Sequence, residues 1–306
     1  FLFIMSLSGS SDKEKFDDLC NRKHKEQIEW FLNAYWSEYG EANAELMWSW
    51  NLKCTELDLQ NHEEGNSLDE LNAHRFLEHF QEPMTVRELR ESLRSTGAIA
   101  GNLRYVPVTH MIIFKFSLDW KELVNRSIAN QAELAKAQKL LEAVTQSFKA
   151  AEAKANEARK LEAPFKAAQE EVETALADVH REESEYNGKI ADCEKRAESG
   201  GVVSRNKAKA ELSQLKAEDP LPLRKAKITL EAAQKRAEKA RAPFAEARAA
   251  AEAAMEEARA KVQEAEDYLN EIKNQPGQPY GSIWWVDREL HEQKKYLPEA
   301  KGGIRK

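Results

Sequence analysis

The dominant pattern in the sequence is a run of small apolar residues that recur with alternating spacings of three and four. Its members are Leu223, Ala226, Leu230, Ala233, Ala237, Ala240, Phe244, Ala247, Ala251 and Ala254. This spacing is typical of the heptad seam of a helix that packs along another helix. After a four-residue step at Ala258 the seam resumes and continues to Ile272. A helix of roughly fifty residues would be about 75 Å long.

The preceding segment carries a matching seam. Its first stripe comprises Val144, Phe148, Ala151, Ala155 and Ala158, and its second comprises Phe165, Val172, Val179, Tyr186 and Cys193 at intervals of seven. Between the two segments, Gly200 and Gly201 can end a helix and Ser204 can cap the next one. The pattern therefore predicts a long antiparallel coiled-coil hairpin over residues 123–275, with its tip near 199–222.

A repeated tripeptide supports the hairpin. Ala-Pro-Phe occurs at residues 163–165 and again at 242–244, and the midpoint of the two prolines falls in the glycine-containing loop. An antiparallel pair would place Pro164 and Pro243 level with each other. Because proline removes a helix hydrogen bond, both arms should kink at the same height. We favour a monomeric hairpin, although a homodimeric coiled coil suits the alanine seam equally and stays open.

The region before the hairpin predicts a compact helical domain at residues 16–122, after a flexible segment at 1–15. Apolar residues recur with helical spacing from Phe16 onward. Large aromatic residues, among them Trp48 and Trp50, are concentrated on these helices. Such density is more typical of a buried core than of a binding site. The fold class expected for the whole chain is therefore all-α.

Within this domain the order helix, loop, helix occurs twice, as in paired EF-hands. Thr85 and Glu88 form a capping-box signature that predicts the start of one helix. If Val106 is the apolar position 8 of the second loop, that loop covers residues 99–110 and contains no carboxylate. Because calcium needs several oxygen ligands, this EF-hand-like loop should not hold the ion.

The first loop offers a weaker version of the same chemistry. If Leu68 is its position 8, the possible ligands are Asn61, Glu63 and Asp69, whereas Asn72 replaces the bidentate glutamate of position 12. Weak calcium binding at these three residues stays open. We expect no resident cofactor and no other metal site.

Residues 276–306 predict a linker, a helix and a basic tail. Proline and glycine are frequent up to Gly281, after which the tandem pair Trp284 and Trp285 begins an aromatic helix. Tandem tryptophans are rarely left in solvent. We therefore expect this pair to dock on the base of the hairpin or on the aromatic N-terminal domain.

Composition limits the functional classes. The 306-residue chain has a formal net charge of −7, which disfavours a generic nucleic-acid binder. Its three scattered cysteines favour a reduced cytoplasmic location, and no apolar run is long enough to span a membrane. The sequence contains no phosphate-binding loop, nucleophile elbow or paired catalytic motif, so an enzyme is not expected.

Three stretches resemble one protein family. They are residues 31–38 (FLNAYWSE), residues 64–69 (EGNSLD) and residues 283–290 (IWWVDREL), the last followed by Lys294 and Lys295. The sequence resembles the calcium-regulated actin-bundling proteins of amoeboid protists, which are EF-hand F-actin crosslinkers. The closing motif is specific to that family, whereas an alanine-rich seam resembles any coiled coil.

The resemblance implies a cytoskeletal protein that crosslinks actin filaments through more than one contact surface in a single chain. It also implies reduced bundling when calcium binds the EF-hands. The loop at residues 99–110 departs from that pattern because it lacks carboxylate ligands. We therefore expect an actin-bundling protein that is not effectively regulated by calcium, with neither a membrane nor a nucleic acid as partner.

The candidate filament contacts are basic residues, because actin filaments have acidic surfaces. The hairpin tip carries Arg205, Lys207, Lys209, Lys216, Arg224, Lys225 and Lys227, and a secondary candidate group comprises Lys294, Lys295, Arg305 and Lys306. Such charges also serve simply to solvate the end of a helical rod. The alternative function is a coiled-coil cytoskeletal scaffold that self-assembles or binds microtubules. A nucleic-acid clamp is weaker, because no aromatic residues alternate with the tip's lysines and arginines.

Overall fold

The structure is a computed structural model that describes residues 6–82, 85–101, 104–126, 131–199 and 201–297. The chain divides into two compact units. A hairpin unit comprises Ser147–Ala258, and a helical unit comprises Phe1–Gln146 with Arg259–Lys306. Two long helices contribute residues to both units, and the all-α fold class is confirmed.

The helical unit begins with seven helices. They are α1 (Asp12–Asn21), α2 (His24–Ala34), α3 (Glu41–Leu57), α4 (Glu70–His79), α5 (Val86–Ser95), α6 (Val108–Phe116) and α7 (Trp120–Asn125). A π-helical turn at Trp36–Gly40 joins α2 to α3, and a 3₁₀ turn at His62–Glu64 follows α3. The capping box predicted for α5 is confirmed, because Thr85 and Glu88 exchange both of its hydrogen bonds.

Two short strands connect the loops of this unit. The strand β1 (Ser67–Asp69) pairs antiparallel with β2 (Tyr105–Pro107), and Leu68 lies opposite Val106 in the register. These are the two residues that the loop alignments place at position 8. Both side chains are buried, so each loop contributes one aliphatic residue to the core.

Three further helices follow: α8 (Gln131–Glu198), α9 (Val202–Ala217) and α10 (Leu221–Ile272). Within the hairpin unit α8 is antiparallel to α10. Arg236 of α10 binds Glu171 of α8 at 2.8 Å, and Lys227 binds Glu183 at 3.3 Å, so positions later in α10 meet positions earlier in α8. Pro164 lies inside α8. The predicted intramolecular hairpin is therefore present.

The helix after the glycine loop does not begin at the predicted residue. Ser204 does not cap it, because α9 begins at Val202 and Gly201 occupies the N-cap in an extended conformation. This helix runs back along α8, and the Tyr186 hydroxyl donates to the Leu215 carbonyl at 2.9 Å. The return arm of the hairpin therefore consists of α9 and α10.

A final helix, α11 (Tyr280–Lys294), packs chiefly on α2 in the helical unit. Gly281 makes this close approach possible, since an added Cβ would lie 2.6 Å from the backbone carbon of Leu32. Trp285 is fully buried in the core, with its ring centroid 4.9 Å from that of Trp48. Its neighbour Trp284 is half-buried and packs against the same core.

Candidate functional site

The first basic group of the hairpin lies in the first turns of α9. Arg205, Lys207 and Lys209 are all exposed, whereas Ala208 between them is buried against the hairpin. None of these three cations forms an ion pair with any residue that the structure describes. Their charges are therefore free to meet an acidic partner, and the helix N-terminus adds a partial positive charge close by.

Three other basic residues of the predicted site already have acidic partners. Lys216 binds Glu194 at 2.8 Å, and Lys227 binds Glu183. Arg224 is 3.9 Å from an oxygen of Asp219. All three cations are exposed, and solvent-exposed pairs contribute only about 0–1 kcal/mol. A stronger acidic partner could therefore replace these contacts at little cost.

The seven predicted residues do not form a single cluster at the turn. Arg205, Lys207 and Lys209 follow the turn directly, whereas Arg224, Lys225 and Lys227 lie beyond a break in the return arm. That break spans the residues between Ala217 and Leu221 and contains Pro220. The basic surface therefore has two parts, which we call the turn cluster (Arg205, Lys207, Lys209) and the break cluster (Arg224, Lys225, Lys227).

Exposed aliphatic residues accompany both clusters, and the sequence reading missed them. Val202 and Val203 are 65% and 85% exposed just before the turn cluster. Leu221 and Ile228 are 65% and 56% exposed on either side of the break cluster. The sequence spacing does indicate their exposure. Leu221 and Ile228 are seven residues apart, and each lies two positions before a seam leucine, so both side chains should point away from α8.

The secondary candidate group is less suited to binding a filament. Lys294 binds Glu266 at 2.6 Å and Lys295 binds Glu292 at 2.5 Å. Both lysines have side chains that are largely covered, with 22% and 33% exposed. Arg305 and Lys306 lie outside the described residues. Lys294 therefore joins α11 to the end of α10, whereas the pair of Lys295 lies within α11 and its C-cap.

The loop residues considered for calcium have other contacts. Asp69 caps α4: its Oδ1 accepts from the Asn72 backbone N–H at 2.8 Å and its Oδ2 from the Asn72 side chain at 3.1 Å. Asn61 and Glu63 are exposed in the preceding turn. Among the residues that the structure describes, no three His, Cys, Asp or Glu side chains are placed to hold a metal ion.

A buried polar cluster joins α11 to α2. The Glu29 carboxylate is buried, 3.6 Å from the Lys25 ammonium group and 3.1 Å from the Ser282 hydroxyl. The Lys25 ammonium group also binds Glu289 of α11 at 2.6 Å, so it lies between the carboxylates of Glu29 and Glu289. Burial raises the pKa of Glu29 to about 7, although Lys25 opposes this effect.

A second buried pair holds the first loop against α2. The His24 Nε2 atom is 3.2 Å from Asp58 Oδ2, and both residues are buried. Burial lowers the pKa of His24, and the nearby Asp58 carboxylate opposes this effect. Gly65 makes the arrangement possible, because a Cβ there would lie 1.7 Å from Asp58 Oδ2. The pair therefore ties the loop after α3 to the first turn of α2.

The hairpin formed by α8 with α9 and α10 thus presents basic and aliphatic side chains on its exposed faces. Residues 121–268 match a family model described as F actin bundling C terminal. The match covers the whole hairpin unit. The resemblance to an actin-bundling family of amoeboid protists is therefore confirmed.

One solved structure with detectable similarity is the crystal structure of the 34 kDa F-actin bundling protein from Dictyostelium discoideum. It is 17% identical, and the comparison covers 95% of this chain and 99% of that chain with a TM-score of 0.48. No curated protein sequence matches this chain. Among the described residues, no helix has the length and apolarity that crossing a membrane requires.

Proposed function

We propose that this protein binds and bundles actin filaments as part of the cytoskeleton, and that the hairpin supplies a principal contact. The observation that carries this proposal is the match of residues 121–268 to the F actin bundling C terminal family. The matched residues include the whole hairpin unit, which carries the turn cluster, and the three exposed cations of that cluster pair with no acidic residue that the structure describes.

The turn cluster is the best candidate for the first filament contact. Filament surfaces are acidic, so unpaired cations increase the rate of encounter and orient the approach. Arg205, Lys207 and Lys209 are placed within five residues of one another on α9, with exposed Val202 and Val203 beside them. Apolar contact at the centre of a basic surface is the usual arrangement of a protein interface.

Bundling needs a second contact, in the same chain or in a second copy of it. Light scattering distinguishes these cases because a stable dimer doubles the measured mass. On the monomer that we expect, the second filament contact must come from a different surface of the chain.

We propose that calcium has little effect on bundling, because the loop at residues 99–110 lacks carboxylates and Asp69 is engaged in capping α4.

The experiment is co-sedimentation with actin filaments at high speed for binding and at low speed for bundling, with calcium and with a chelator. The test variant carries Arg205→Gln, Lys207→Gln and Lys209→Gln. Its matched control carries Lys154→Gln, Lys166→Gln and Arg248→Gln, which remove three exposed charges that pair within their own helices.

We expect the wild-type protein to pellet filaments at low speed in both conditions. The turn-cluster variant should bind more weakly than the control variant, and the difference should shrink as salt screens the charges. If the wild-type protein stays in the supernatant at both speeds, the proposed function is wrong. If calcium abolishes low-speed pelleting, the proposed insensitivity to calcium is wrong.

A further inference from the structure

The outward face of α10 carries an ordered stripe of aliphatic and basic side chains. Leu221 and Ile228 precede the seam leucines Leu223 and Leu230 by two residues each. Since each helical residue turns the chain by about 100°, two residues place them on the side opposite α8. Both are more than half exposed, as expected for this face.

Basic side chains continue the stripe along the same face. We define the outer stripe as Leu221, Arg224, Lys225, Ile228, Ala232, Lys235 and Lys239. All of them are exposed, and the three lysines form no ion pair with the described residues. The acidic residues of this segment, Glu231 and Glu238, lie at one edge of the stripe.

A recess of about 240 Å³ borders Leu221 on the side of α10 that faces α8. Apolar groups of Tyr186, Leu215 and Pro220 line it, together with four acidic residues, Glu182, Glu185, Glu218 and Asp219. The break between α9 and α10 creates it, because the return arm there lacks helical side chains that would cover α8. An acidic partner is therefore expected on the outer stripe and not in this recess, because the carboxylates of the recess would repel it.

We infer that the outer stripe is a docking face for an acidic protein surface, on which Leu221 and Ile228 act as apolar anchors. This inference rests on the proposed function, so the partner is the actin filament. Affinity for the filament then depends on these two aliphatic residues as well as on the basic side chains around them. Interfaces commonly derive most of their binding energy from a few buried anchors, with charges at the rim contributing mainly to approach.

A lipid surface fits the stripe less well. Helices that lie in the membrane interface usually present a broad apolar face with aromatic residues. The outer stripe has only two large aliphatic side chains, and no aromatic residue among its seven members. Discrete anchors between cations suit the recesses and carboxylates of a folded protein.

The test variant carries Leu221→Gln and Ile228→Gln. Glutamine is a good helix former and both positions are exposed, so α10 should fold as before, and circular dichroism checks its helical content. The matched control is Leu176→Gln, which removes a leucine that is 42% exposed on α8. High-speed co-sedimentation with actin filaments is measured at low and at physiological salt, and flotation with phosphatidylserine vesicles runs in parallel.

We expect the double variant to bind filaments about tenfold more weakly at both salt concentrations, with the Leu176 control close to wild type. Salt screens charge effects, so an effect of charge would shrink at physiological salt. A loss of affinity at both salt concentrations therefore indicates apolar anchoring. If the double variant binds filaments as wild type does, the inference is wrong while the proposed function stands. Vesicle binding that depends on Leu221 and Ile228, with filament binding unchanged, would assign the stripe to lipid and overturn the inference. Failure of the wild-type protein to bind filaments overturns both proposals.

Discussion

Phe165 stacks on Phe244 across the hairpin, with ring centroids 5.1 Å apart and ring planes inclined by 17°. Each ring follows a proline in the repeated tripeptide, so the two repeats lie level with each other. The rest of the neighbouring seam consists largely of alanine, which contributes little buried area. The stacked pair is therefore a main source of stability at this level of the hairpin.

Phe165→Ala should lower the free energy of unfolding of the hairpin by roughly 1–3 kcal/mol, since both rings are only half-buried. Phe165→Leu should cost less, because it retains most of the apolar volume. Urea unfolding followed by circular dichroism measures both. A double-mutant cycle with Phe244→Ala should give a coupling of about 0.5–1.5 kcal/mol. Additive effects would show that the two rings do not interact.

Tyr186→Phe should destabilise the hairpin by about 0.5–1.5 kcal/mol, because it removes the hydroxyl that donates to the Leu215 carbonyl. The ring remains, so packing is conserved. Tyr105→Phe, at an exposed tyrosine of the helical unit, serves as a control with little effect. Equal stability of the Tyr186 variant and the wild type would argue against α9 running along α8.

Gly281→Ala should destabilise the helical unit, because the new methyl group would meet the backbone and side chain of Leu32 at 2.6 Å. Packed backbone cannot move aside without displacing α11, so we expect a loss of several kcal/mol. Tryptophan fluorescence should report the change through Trp285. Gly188→Ala is the control: its methyl group meets no neighbour within 4 Å, and alanine in a helix gains about 0.5–1 kcal/mol over glycine.

Stability should also depend on pH through Glu29, whose pKa is raised to about 7 by burial. A carboxyl group with a raised pKa holds its proton more tightly in the folded state than in the unfolded state. The contribution of Glu29 to the free energy of unfolding is therefore complete below about pH 4.5 and is lost as the pH rises through about 7. The free energy of unfolding falls over this range by at most on the order of 3 kcal/mol.

Denaturant unfolding between pH 5 and pH 8 tests this with Glu29→Gln as the comparison. The glutamine variant stays neutral, so its stability should change less over this range and exceed that of the wild type at the upper end. Lys25 and Glu289 face Glu29 in the same cluster, so they must remain unchanged in both proteins. Parallel pH profiles for the two proteins would contradict the assignment.

Much of the fold could be predicted because the seam, the glycine loop and the paired tripeptides all point to one arrangement. The sequence pattern did not predict that α9 and α10 form one return arm. Leu215 and Leu223 both face α8 but are eight residues apart, which does not fit a heptad. The non-helical break that contains Pro220 accommodates the one residue in excess of a heptad. In a sequence, a proline at such a position indicates the end of a helix, so the pattern does not show that the arm continues beyond it.

The candidate site could be predicted only in part, because charge is visible in a sequence whereas exposure and pairing are not. Arg205, which is unpaired among the described residues, and Lys216, which binds Glu194, look alike in the sequence. In the sequence, Leu221 and Ile228 are easily assigned to the buried seam, because each lies two positions from a seam leucine. A helical wheel centred on Leu223 places them outside, but only the packing of α10 on α8 shows which side faces the partner helix.

The break before Leu221 also separates the registers of α9 and α10. Matched insertions in α9 and in the end of α8 would lengthen the turn end of the hairpin without moving Phe244 away from Phe165. The hairpin is thus built from two independently adjustable segments. One fixes the alignment of the arms, and the other sets the distance along the hairpin between the stacked phenylalanines and the turn cluster.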